Sequence, residues 1–259
     1  MAEDEGLIRE FKAGNAIVKI YRDRQSMGKA ASNAVRKKAI EIIANKGRVS
    51  MVFASAPSQE EFLAALTKVD GIDWSKVVAF HLDEYVGLPS DAPQAFGEFL
   101  RRRLFNKVKP GMVYYINGNA EDLEKEAQRY AELLKKYGLD IACVGIGENG
   151  HLAFNDPHVA DFNDPLMVKV VELDEVSRQQ QVNDGCFASL DQVPKKALTL
   201  TIPVIFSANY IFAIVPAKSK AQAVRKTVYG PISEECPASI LRKHKNAILF
   251  LDQDSASLL

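Results

Sequence analysis

Short, largely apolar runs recur along this chain, and longer stretches with helical periodicity separate them. Runs of this length are too short for core helices and predict strands that are buried on both faces. The alternation of strands with helices predicts an α/β fold, a doubly wound and mostly parallel sheet with helices on both faces (Rossmann-like). The apolar runs are 49–54, 76–82, Ile141–Val144, Tyr210–Val215 and 247–251.

Other segments give weaker signals. Residues 17–21 predict an edge strand, and 168–173 and 197–202 are also typical of strands. Ser58 and Glu61 form a capping-box pattern at the start of a helix that reaches about residue 69. Further helices are predicted at 26–45, 94–105, 122–137 and 218–229.

Composition limits the classes of function. The length of 259 residues and a hydrophobic content of 47% suit one large domain, which we expect to span 1–259. The formal net charge is zero, and no basic stripe indicates a nucleic-acid partner. No apolar run approaches the length of a membrane helix, so we expect no membrane partner.

The cysteines and the N-terminus both favour a cytoplasmic protein. Cys143, Cys186 and Cys236 are widely spaced and odd in number, which is typical of reduced thiols and not of a disulfide framework or zinc site. The acidic sequence MAEDE at the N-terminus lacks the basic and apolar regions of a signal peptide. The histidines are scattered, so we expect no metal site.

Polar and charged residues follow two of the predicted strands directly. One strand leads into VGIGENGHLAFNDP at 144–157, and another into HLDEYVGLP at 81–89. In an open α/β sheet, ligands bind at the carboxyl ends of the strands. We therefore expect one composite site, in which His151 acts as a base and Asp156 orients it. The loop glycines, Gly150 among them, allow the backbone to approach a ligand closely.

These two motifs, together with QVPKKALT at 192–199, resemble the glucosamine-6-phosphate deaminase family over roughly residues 49–251. The resemblance implies an enzyme that converts an amino-sugar phosphate to fructose 6-phosphate and ammonia. It also implies a small-molecule sugar phosphate as partner and neither a metal nor an organic cofactor. Related enzymes include monomers and hexamers, so a homo-oligomer is possible.

The implied reaction assigns roles to the first loop. His151 would exchange protons during opening of the sugar ring, because imidazole titrates near neutrality. Asp156 would fix its tautomer, although the family often has Glu there, so that the shorter Asp requires a closer loop or a bridging water. Asn149 would position substrate or His151. The alternative for His151 is a purely structural hydrogen bond, and for Asp156 a cap of the turn before Pro157.

Asp83 is the candidate base that moves a proton between C2 and C1, which requires a partly desolvated carboxyl with a raised pKa. The neighbouring Glu84 would face the other way if the strand continues. We expect Glu84 to support the site or to contact substrate indirectly. The alternative for Asp83 is an ordinary cap at the end of a strand.

The phosphate contacts depart from the family pattern. Where the family has a glycine-rich loop, this chain has Ser55-Ala56-Pro57-Ser58, and Pro57 has no N–H to donate. Ser55 and Ser58 stay candidate phosphate ligands, with a plain N-cap by Ser58 as the alternative. Lys220 matches the family's phosphate lysine in position, and Lys218 is the neighbouring alternative. Arg178 is the candidate for an arginine that the family carries in its lid.

The segment at 158–193 has few periodic signals and is either a lid over the site or a surface excursion; the resemblance favours the lid. Two alternatives to the deaminase stay open. One is a hydrolase resembling 6-phosphogluconolactonase, and the other is a sugar-phosphate sensor without turnover. The altered phosphate loop also leaves open a different amino-sugar phosphate as substrate.

Overall fold

The computed structural model describes residues 5–259, so the expectation from the acidic N-terminus rests mainly on residues outside this range. Within 5–259 the strands are β1 (Leu7–Ala13), β2 (Ala16–Tyr21), β3 (Val49–Phe53), β4 (Val77–His81), β5 (Asp83–Tyr85), β6 (Met112–Val113), β7 (Ile141–Val144), β8 (Val168–Glu172), β9 (Lys196–Leu200), β10 (Tyr210–Val215) and β11 (Ala247–Asp252). The α-helices are α1 (Arg24–Lys46), α2 (Glu60–Leu66), α3 (Phe96–Leu100), α4 (Asn106–Val108), α5 (Leu123–Tyr137), α6 (Glu175–Asn183), α7 (Ile202–Phe206) and α8 (Ala221–Tyr229). No helix in this range is long and apolar enough to span a membrane.

A large sheet forms the centre of the fold. Its strand order is β1-β2-β11-β10-β7-β3-β4-β6. Only the β1–β2 pair is antiparallel, and every other neighbouring pair is parallel. The predicted doubly wound, mostly parallel α/β fold is therefore confirmed.

Both faces of the large sheet are covered, and β3 illustrates how. Met51 and Phe53 pack with residues of α1, α2 and α3. Val52, which lies between them, packs on the opposite face with residues of α5 and α8. Because successive strand residues point to opposite faces, a strand that is buried on both sides is largely apolar. The one polar residue of β3, Ser50, donates a hydrogen bond from its hydroxyl to Oδ2 of Asp140 at 3.1 Å.

The strand order reverses between β3 and β7. From β3 the chain moves outward through β4 to β6, and from β7 it moves in the other direction through β10 to β11. Neighbouring connections therefore leave the sheet in opposite directions and open a crevice at the carboxyl ends of β3 and β7. The two loops singled out from the sequence border this crevice.

A second, antiparallel sheet was not predicted. It has the order β5-β9-β8, so two segments recognised as strand-like, 168–173 and 197–202, pair outside the large sheet. Asp83 pairs with Thr199, and Val170 pairs with Leu198. The chain leaves the large sheet at Leu82 and enters the small one at Asp83, which fixes this carboxyl at the junction of the two sheets.

Two local predictions were wrong. Residues 17–21 lie in β2, which is an inner strand between β1 and β11 and not an edge. Ser58 is not the N-cap of a helix: Pro57–Gln59 forms a 3₁₀ turn before α2, because proline starts the helical turn one residue earlier. Glu61 instead forms an ion pair with Arg24, with Nε to Oε1 at 2.8 Å.

The helix predictions are largely confirmed. The helices expected at 26–45 and 122–137 are confirmed as α1 and α5, each with an aspartate N-cap and a glycine at its end. The helix expected at 94–105 starts as α3 and continues as a π-helical turn over Arg101–Phe105. The segment at 158–193 contains β8 and α6, and the helix was missed because its apolar periodicity is weak.

We predict that Phe53→Ala destabilises the fold by about 3–5 kcal/mol, because it empties a fully buried site against Phe105 in a central strand. Ile8→Ala, in the outermost strand and 51% exposed, is the matched control and should change stability by less than about 0.5 kcal/mol. The measurement is the free energy of unfolding in urea. Equal effects of the two substitutions would contradict this account of the core.

Candidate active site

A pocket opens at the carboxyl ends of the central strands, beside the crevice between β3 and β7. The loops after β3, β4 and β7, the turn after β10 and one face of α6 form its walls. The polar or glycine residues that line it are Ser55, Ser58, Gln59, Asp83, Gly145, Gly147, His151, Gln180, Gln181 and Lys220. The composite site expected from the two motifs is thus assembled in one place.

His151 is held in the pocket wall by contacts on three sides. Its Nδ1 lies 2.9 Å from Oδ1 of Asp156 and 3.0 Å from Oγ of Ser177. Its backbone N–H donates to Oδ1 of Asn149 at 3.0 Å. A carboxylate on Nδ1 favours the tautomer with the proton on Nδ1, which makes Nε2 the basic nitrogen. The shorter side chain of Asp156 reaches the ring directly, and no bridging water is needed.

Asp156 is fully buried and is surrounded by donors. Nδ2 of Asn149 donates to its Oδ1 at 2.9 Å, the hydroxyl of Ser177 donates to the same oxygen, and the N–H of Asp174 donates to Oδ2 at 3.4 Å. Burial alone would raise the pKa of this carboxyl, but the hydrogen bond and charge of His151, with those from Asn149 and Ser177, bring the pKa well below its usual range. Asp156 is therefore a carboxylate that orients the imidazole, and not a cap of the following turn.

The two glycines of the Gly-x-Gly motif provide space for side chains. A Cβ atom at Gly147 would lie 2.1–2.3 Å from the atoms of the His151 ring. A Cβ atom at Gly145 would lie 3.3 Å from Nε2 of Gln59. The motif therefore admits the imidazole and the amide into the pocket wall, which is a more specific role than loop flexibility.

Asp83 faces the pocket from the junction of the two sheets and is 7% exposed. Burial and then the negative charge of Glu84 raise the pKa of its carboxyl well above the ordinary value. Among the described residues, no hydrogen bond to this carboxyl opposes the effect. A carboxyl in this state is suited to accept and return a proton.

His81 holds the backbone of Asp83 in place. Its Nδ1 donates to the carbonyl oxygen of Asp83 at 2.8 Å, and its Nε2 accepts from the N–H of Ile116 at 2.9 Å. Burial lowers the pKa of His81 to about 4, so the ring is neutral at physiological pH and keeps one donor and one acceptor. The ring thereby links the end of β4 to the chain at Ile116.

Glu84 turns away from the pocket, as the alternation of a strand requires. Its carboxylate accepts from the N–H groups of Phe96 at 3.0 Å and Gly97 at 2.8 Å, at the start of α3. Burial raises the pKa of Glu84, and these N–H groups oppose the rise. Glu84 therefore supports the site by anchoring α3, and it does not line the pocket.

The end of the pocket beside the turn after β10 is polar. Lys220, Ser55 and Gln59 are each at least nine-tenths buried there, and Ser58 lies beside them. Burial lowers the pKa of Lys220, while the negative charges of Asp184 and Glu148 raise it. Three of the four candidate phosphate ligands, Ser55, Ser58 and Lys220, thus meet at this end.

The fourth candidate, Arg178, does not line the pocket. Its guanidinium donates to the carbonyl oxygens of Leu190 at 2.5 Å and Val193 at 3.0 Å, so it braces the end of the 158–193 segment. Gly150 also lies outside the pocket lining, with φ at +91°, and a Cβ atom there would lie 2.7 Å from Sγ of Cys236. The expectation of ligand contacts from these two residues finds no support in the geometry.

The sequence analysis missed several pocket residues. Gln180 and Gln181 line the pocket from α6, and Gln59 lines it after the altered loop. Ser177, on the same side of α6, contacts His151 from behind the pocket wall. The only local signal was Asp174 three residues before Ser177, which is an N-cap pattern: Oδ1 of Asp174 accepts from the N–H of Ser177 at 2.6 Å. Nothing in the sequence indicated which face of this helix meets His151.

One group of potential metal ligands occurs within residues 5–259. Asp156, His158 and Asp174 place one ligand atom each within 4.8 Å of one another. Both carboxylates accept hydrogen bonds from Asn149, and Asp156 also contacts His151 and Ser177. These contacts account for the two carboxylates as part of the hydrogen-bond network behind His151, whereas the exposed His158 contacts the carbonyl oxygen of Glu172 at 3.1 Å through its Nε2.

Residues 22–250 match the sequence profile of the family described as glucosamine-6-phosphate isomerases/6-phosphogluconolactonase. The chain is 41% identical over 199 residues to glucosamine-6-phosphate deaminase 1 of Bacillus subtilis (strain 168), covering 76% of this chain and 80% of that protein. It is 42% identical over 191 residues to the glucosamine-6-phosphate deaminase of Clostridium botulinum (strain Eklund 17B / Type B), covering 73% and 75%.

Solved structures give the same grouping. A monomeric glucosamine-6-phosphate deaminase superposes with a TM-score of 0.86 at 34% identity, covering 93% of this chain and 99% of that one. A 6-phosphogluconolactonase from Shewanella baltica OS155 has a TM-score of 0.76 at 16% identity, covering 93% and 100%, which is a likeness of fold.

We predict that Gly147→Ala displaces the His151 ring from Asp156, because the new Cβ would overlap the ring. Gly145→Ala is the control, since its Cβ would lie 3.3 Å from Nε2 of Gln59 and 3.9 Å from Oγ of Ser58 and would overlap neither side chain. Nitrogen-15 NMR of the imidazole, which reports the hydrogen bond on Nδ1, distinguishes the two. An unchanged His151 spectrum in Gly147→Ala would contradict the packing role of this glycine.

We also predict that Asp83→Asn stabilises the folded protein at neutral pH. The pKa of Asp83 is raised on folding, so above its unfolded pKa the ionised carboxyl disfavours the folded state. The gain should vanish as the pH falls toward the unfolded pKa, where aspartate is protonated in both states. Urea unfolding across this pH range measures it, and a loss of stability at neutral pH would contradict the burial argument.

Proposed function

Because the chain belongs to the glucosamine-6-phosphate isomerase/6-phosphogluconolactonase family, we propose that it is an enzyme that converts glucosamine 6-phosphate to fructose 6-phosphate and ammonia. The observation that carries the proposal is the meeting of two proton-transfer groups in one pocket. Asp83 is a buried carboxyl with a raised pKa, and His151 is an imidazole that a carboxylate orients. The relatives at 34–42% identity bear names for this activity.

Ring opening is the first step. Nε2 of His151 exchanges protons between the anomeric hydroxyl and the ring oxygen, and the sugar becomes an open-chain aldehyde. Asp156 stabilises the positive charge that the imidazole carries during the exchange. Asn149 has a positioning role, because it holds both the His151 backbone and the Asp156 carboxylate.

Proton transfer between neighbouring carbons is the second step. The Asp83 carboxylate removes the proton from C2 while O1 takes up a proton, which gives an enolamine. Asp83 then returns its proton to C1, and the amine nitrogen releases one proton. The C1 aldehyde is thereby reduced to a hydroxymethyl group, and C2 is oxidised to an imine. Water adds to C2 and ammonia leaves, so the sequence balances without an external oxidant, and its steps require neither a metal nor an organic cofactor.

The phosphate group is proposed to lie at the polar end of the pocket. Lys220 supplies a cation there, and the hydroxyls of Ser55 and Ser58 supply donors. Pro57 removes one backbone donor from this loop. A different amino-sugar phosphate is the alternative substrate for the same chemistry.

Residues 158–193 are proposed to act as a lid that is part of a single domain spanning 1–259. In support, Gln180 and Gln181 of this segment line the pocket, and Ser177 contacts both His151 and Asp156. Closure of such a segment would exclude water from the enolamine.

A 6-phosphogluconolactonase-like hydrolysis is less well supported. Hydrolysis of a lactone needs one general base to activate water, and it would leave the buried Asp83 without a role. The lactonase neighbour cited above shares only the fold, at 16% identity. Release of an acid from 6-phosphogluconolactone, with no ammonia from amino-sugar phosphates, would favour this alternative.

We also propose that the protein is cytoplasmic. Three free cysteines suit a reducing cytoplasm. One structural neighbour is described as monomeric. Sedimentation of this protein would distinguish a monomer from a homo-oligomer.

We predict that the protein releases ammonia and fructose 6-phosphate from glucosamine 6-phosphate. Asp83→Asn and His151→Gln should each lower kcat by about 10²–10⁴-fold, since each removes a proton-transfer group. The matched controls Asp73→Asn and His158→Gln change exposed side chains and should leave turnover unchanged. No turnover by folded wild-type protein would refute this substrate, and full activity of Asp83→Asn would refute the assigned base.

A further inference from the structure

Helix α6 is fixed against the loop after β7 by contacts along its inner side. Oδ2 of Asp174, the N-cap of the helix, accepts from Nδ2 of Asn149 at 3.1 Å. Further along the helix, Oε1 of Gln180 accepts from the N–H of Glu148 at 3.0 Å. Ser177 lies between these two contacts and is 1% exposed. The helix therefore holds the Ser177 hydroxyl at a defined place behind the pocket wall.

This hydroxyl contacts both members of the proton-transfer pair. It donates its one hydrogen to Oδ1 of Asp156, and its oxygen lies 3.0 Å from Nδ1 of His151. A hydroxyl oxygen has two lone pairs, so it can accept from the same Nδ1–H that points to Asp156 at 2.9 Å. The ring hydrogen is thus shared between two acceptors, and one of them belongs to α6.

The carboxylate of Asp156 is held mainly through one of its oxygens. Oδ1 contacts Nδ1 of His151, Nδ2 of Asn149 at 2.9 Å and the hydroxyl of Ser177. The contact at Oδ2, from the N–H of Asp174, is longer at 3.4 Å and constrains the group less. Without the Ser177 hydroxyl, the carboxylate could turn about its Cβ–Cγ bond and shift the imidazole with it.

The influence of Ser177 is confined to one side of the site. Ser177 does not line the pocket, whereas His151 does, so the hydroxyl acts on a ligand only through the imidazole. Asp83 lies at the junction of the two sheets, and its backbone is held by His81. The contacts of Ser177 therefore bear on the protons that His151 transfers, and not on those that Asp83 transfers.

We propose that Ser177 is a positioning residue for ring opening. Its hydroxyl holds the pair of His151 and Asp156 in the orientation that reaches the anomeric hydroxyl and the ring oxygen. The proposal rests on the proposed function, because that function supplies the ring-opening step. One consequence is an order of events: His151 becomes competent only when α6 is docked, so docking of α6 precedes ring opening.

The size of the effect follows from the contacts that stay. Misplacement of a reacting group by about 1 Å can lower a rate by about 10²-fold. In Ser177→Ala the amide of Asn149 still holds Asp156. We therefore expect a smaller loss, about tenfold in kcat, which is close to the net contribution of one hydrogen bond.

The first test requires no turnover. Nitrogen-15 NMR should show that the Nδ1 signal of His151 moves in Ser177→Ala and stays near the wild-type position in Ser177→Thr, which keeps a hydroxyl. Val176→Ala changes the preceding position of α6, which is 52% exposed, and as the matched control it should leave the signal unchanged. An unaltered signal in Ser177→Ala would overturn the proposal. Equal displacement in Ser177→Thr would assign the effect to packing and count against the hydroxyl.

The second test distinguishes ring opening from proton transfer between C2 and C1. Ser177→Ala should lower kcat about tenfold with little change in KM, since the residue lies outside the pocket lining. Deuterium at C2 of glucosamine 6-phosphate reports the Asp83 step, because the C2–H bond breaks there. Slower ring opening masks that step, so the isotope effect on kcat/KM should be smaller in Ser177→Ala than in the wild type. An equal or larger isotope effect would overturn the assignment to ring opening.

The two tests separate this proposal from the function on which it rests. No turnover of amino-sugar phosphates by folded wild-type protein would overturn the proposed function, and the NMR comparison would still decide whether Ser177 orients His151. Turnover with an unchanged kcat in Ser177→Ala would retain the deaminase and overturn the role of Ser177.

Discussion

The buried carboxylate of Asp156 is the constraint on which the active site depends. A charge taken out of water is costly unless several donors surround it. Here the donors come from two different parts of the chain: His151 and Asn149 in the loop after β7, and Ser177 in α6. The loop and the helix therefore stabilise each other through one side chain. Any movement of α6 away from the pocket would also release His151 from part of its support.

Asp83 lies in a different electrostatic environment from Asp156. Asp83 is also buried, but no described donor surrounds its carboxyl, and burial raises its pKa. The two aspartates thus belong to one site, Asp83 in the pocket lining and Asp156 behind His151, and their pKa values are shifted in opposite directions. Such a separation assigns the roles of proton carrier and permanent charge to chemically identical side chains. Burial of the Asp83 carboxyl lowers the stability of the folded state, and the core on both faces of the large sheet compensates for this loss.

The sequence predicted what depends on local pattern. The central strands, the polar loops at their ends and the pairing of His151 with Asp156 all follow from residues that are close in the chain. The small sheet depends on pairing between residues as distant as Asp83 and Thr199, which no local period reveals. Arg178 illustrates a second limit of the sequence prediction. Neighbouring helix residues point about 100° apart, so Ser177 meets His151 while Arg178 turns to the carbonyl oxygens of Leu190 and Val193.

Backbone strain at two alanines indicates how tightly the pocket is specified. Ala153, in the pocket lining, has φ at +51°, and Ala217, which precedes the turn that carries Lys220, has φ at +84°. Each such conformation costs on the order of 1–3 kcal/mol for a residue with a Cβ. At Ala217 the N–H donates to both carboxylate oxygens of Asp252, at 3.2 and 3.1 Å. This hydrogen bond to Asp252 at the end of β11 fixes the strained residue Ala217. It thereby positions the turn that carries Lys220. The polar end of the pocket is therefore positioned by the central sheet itself.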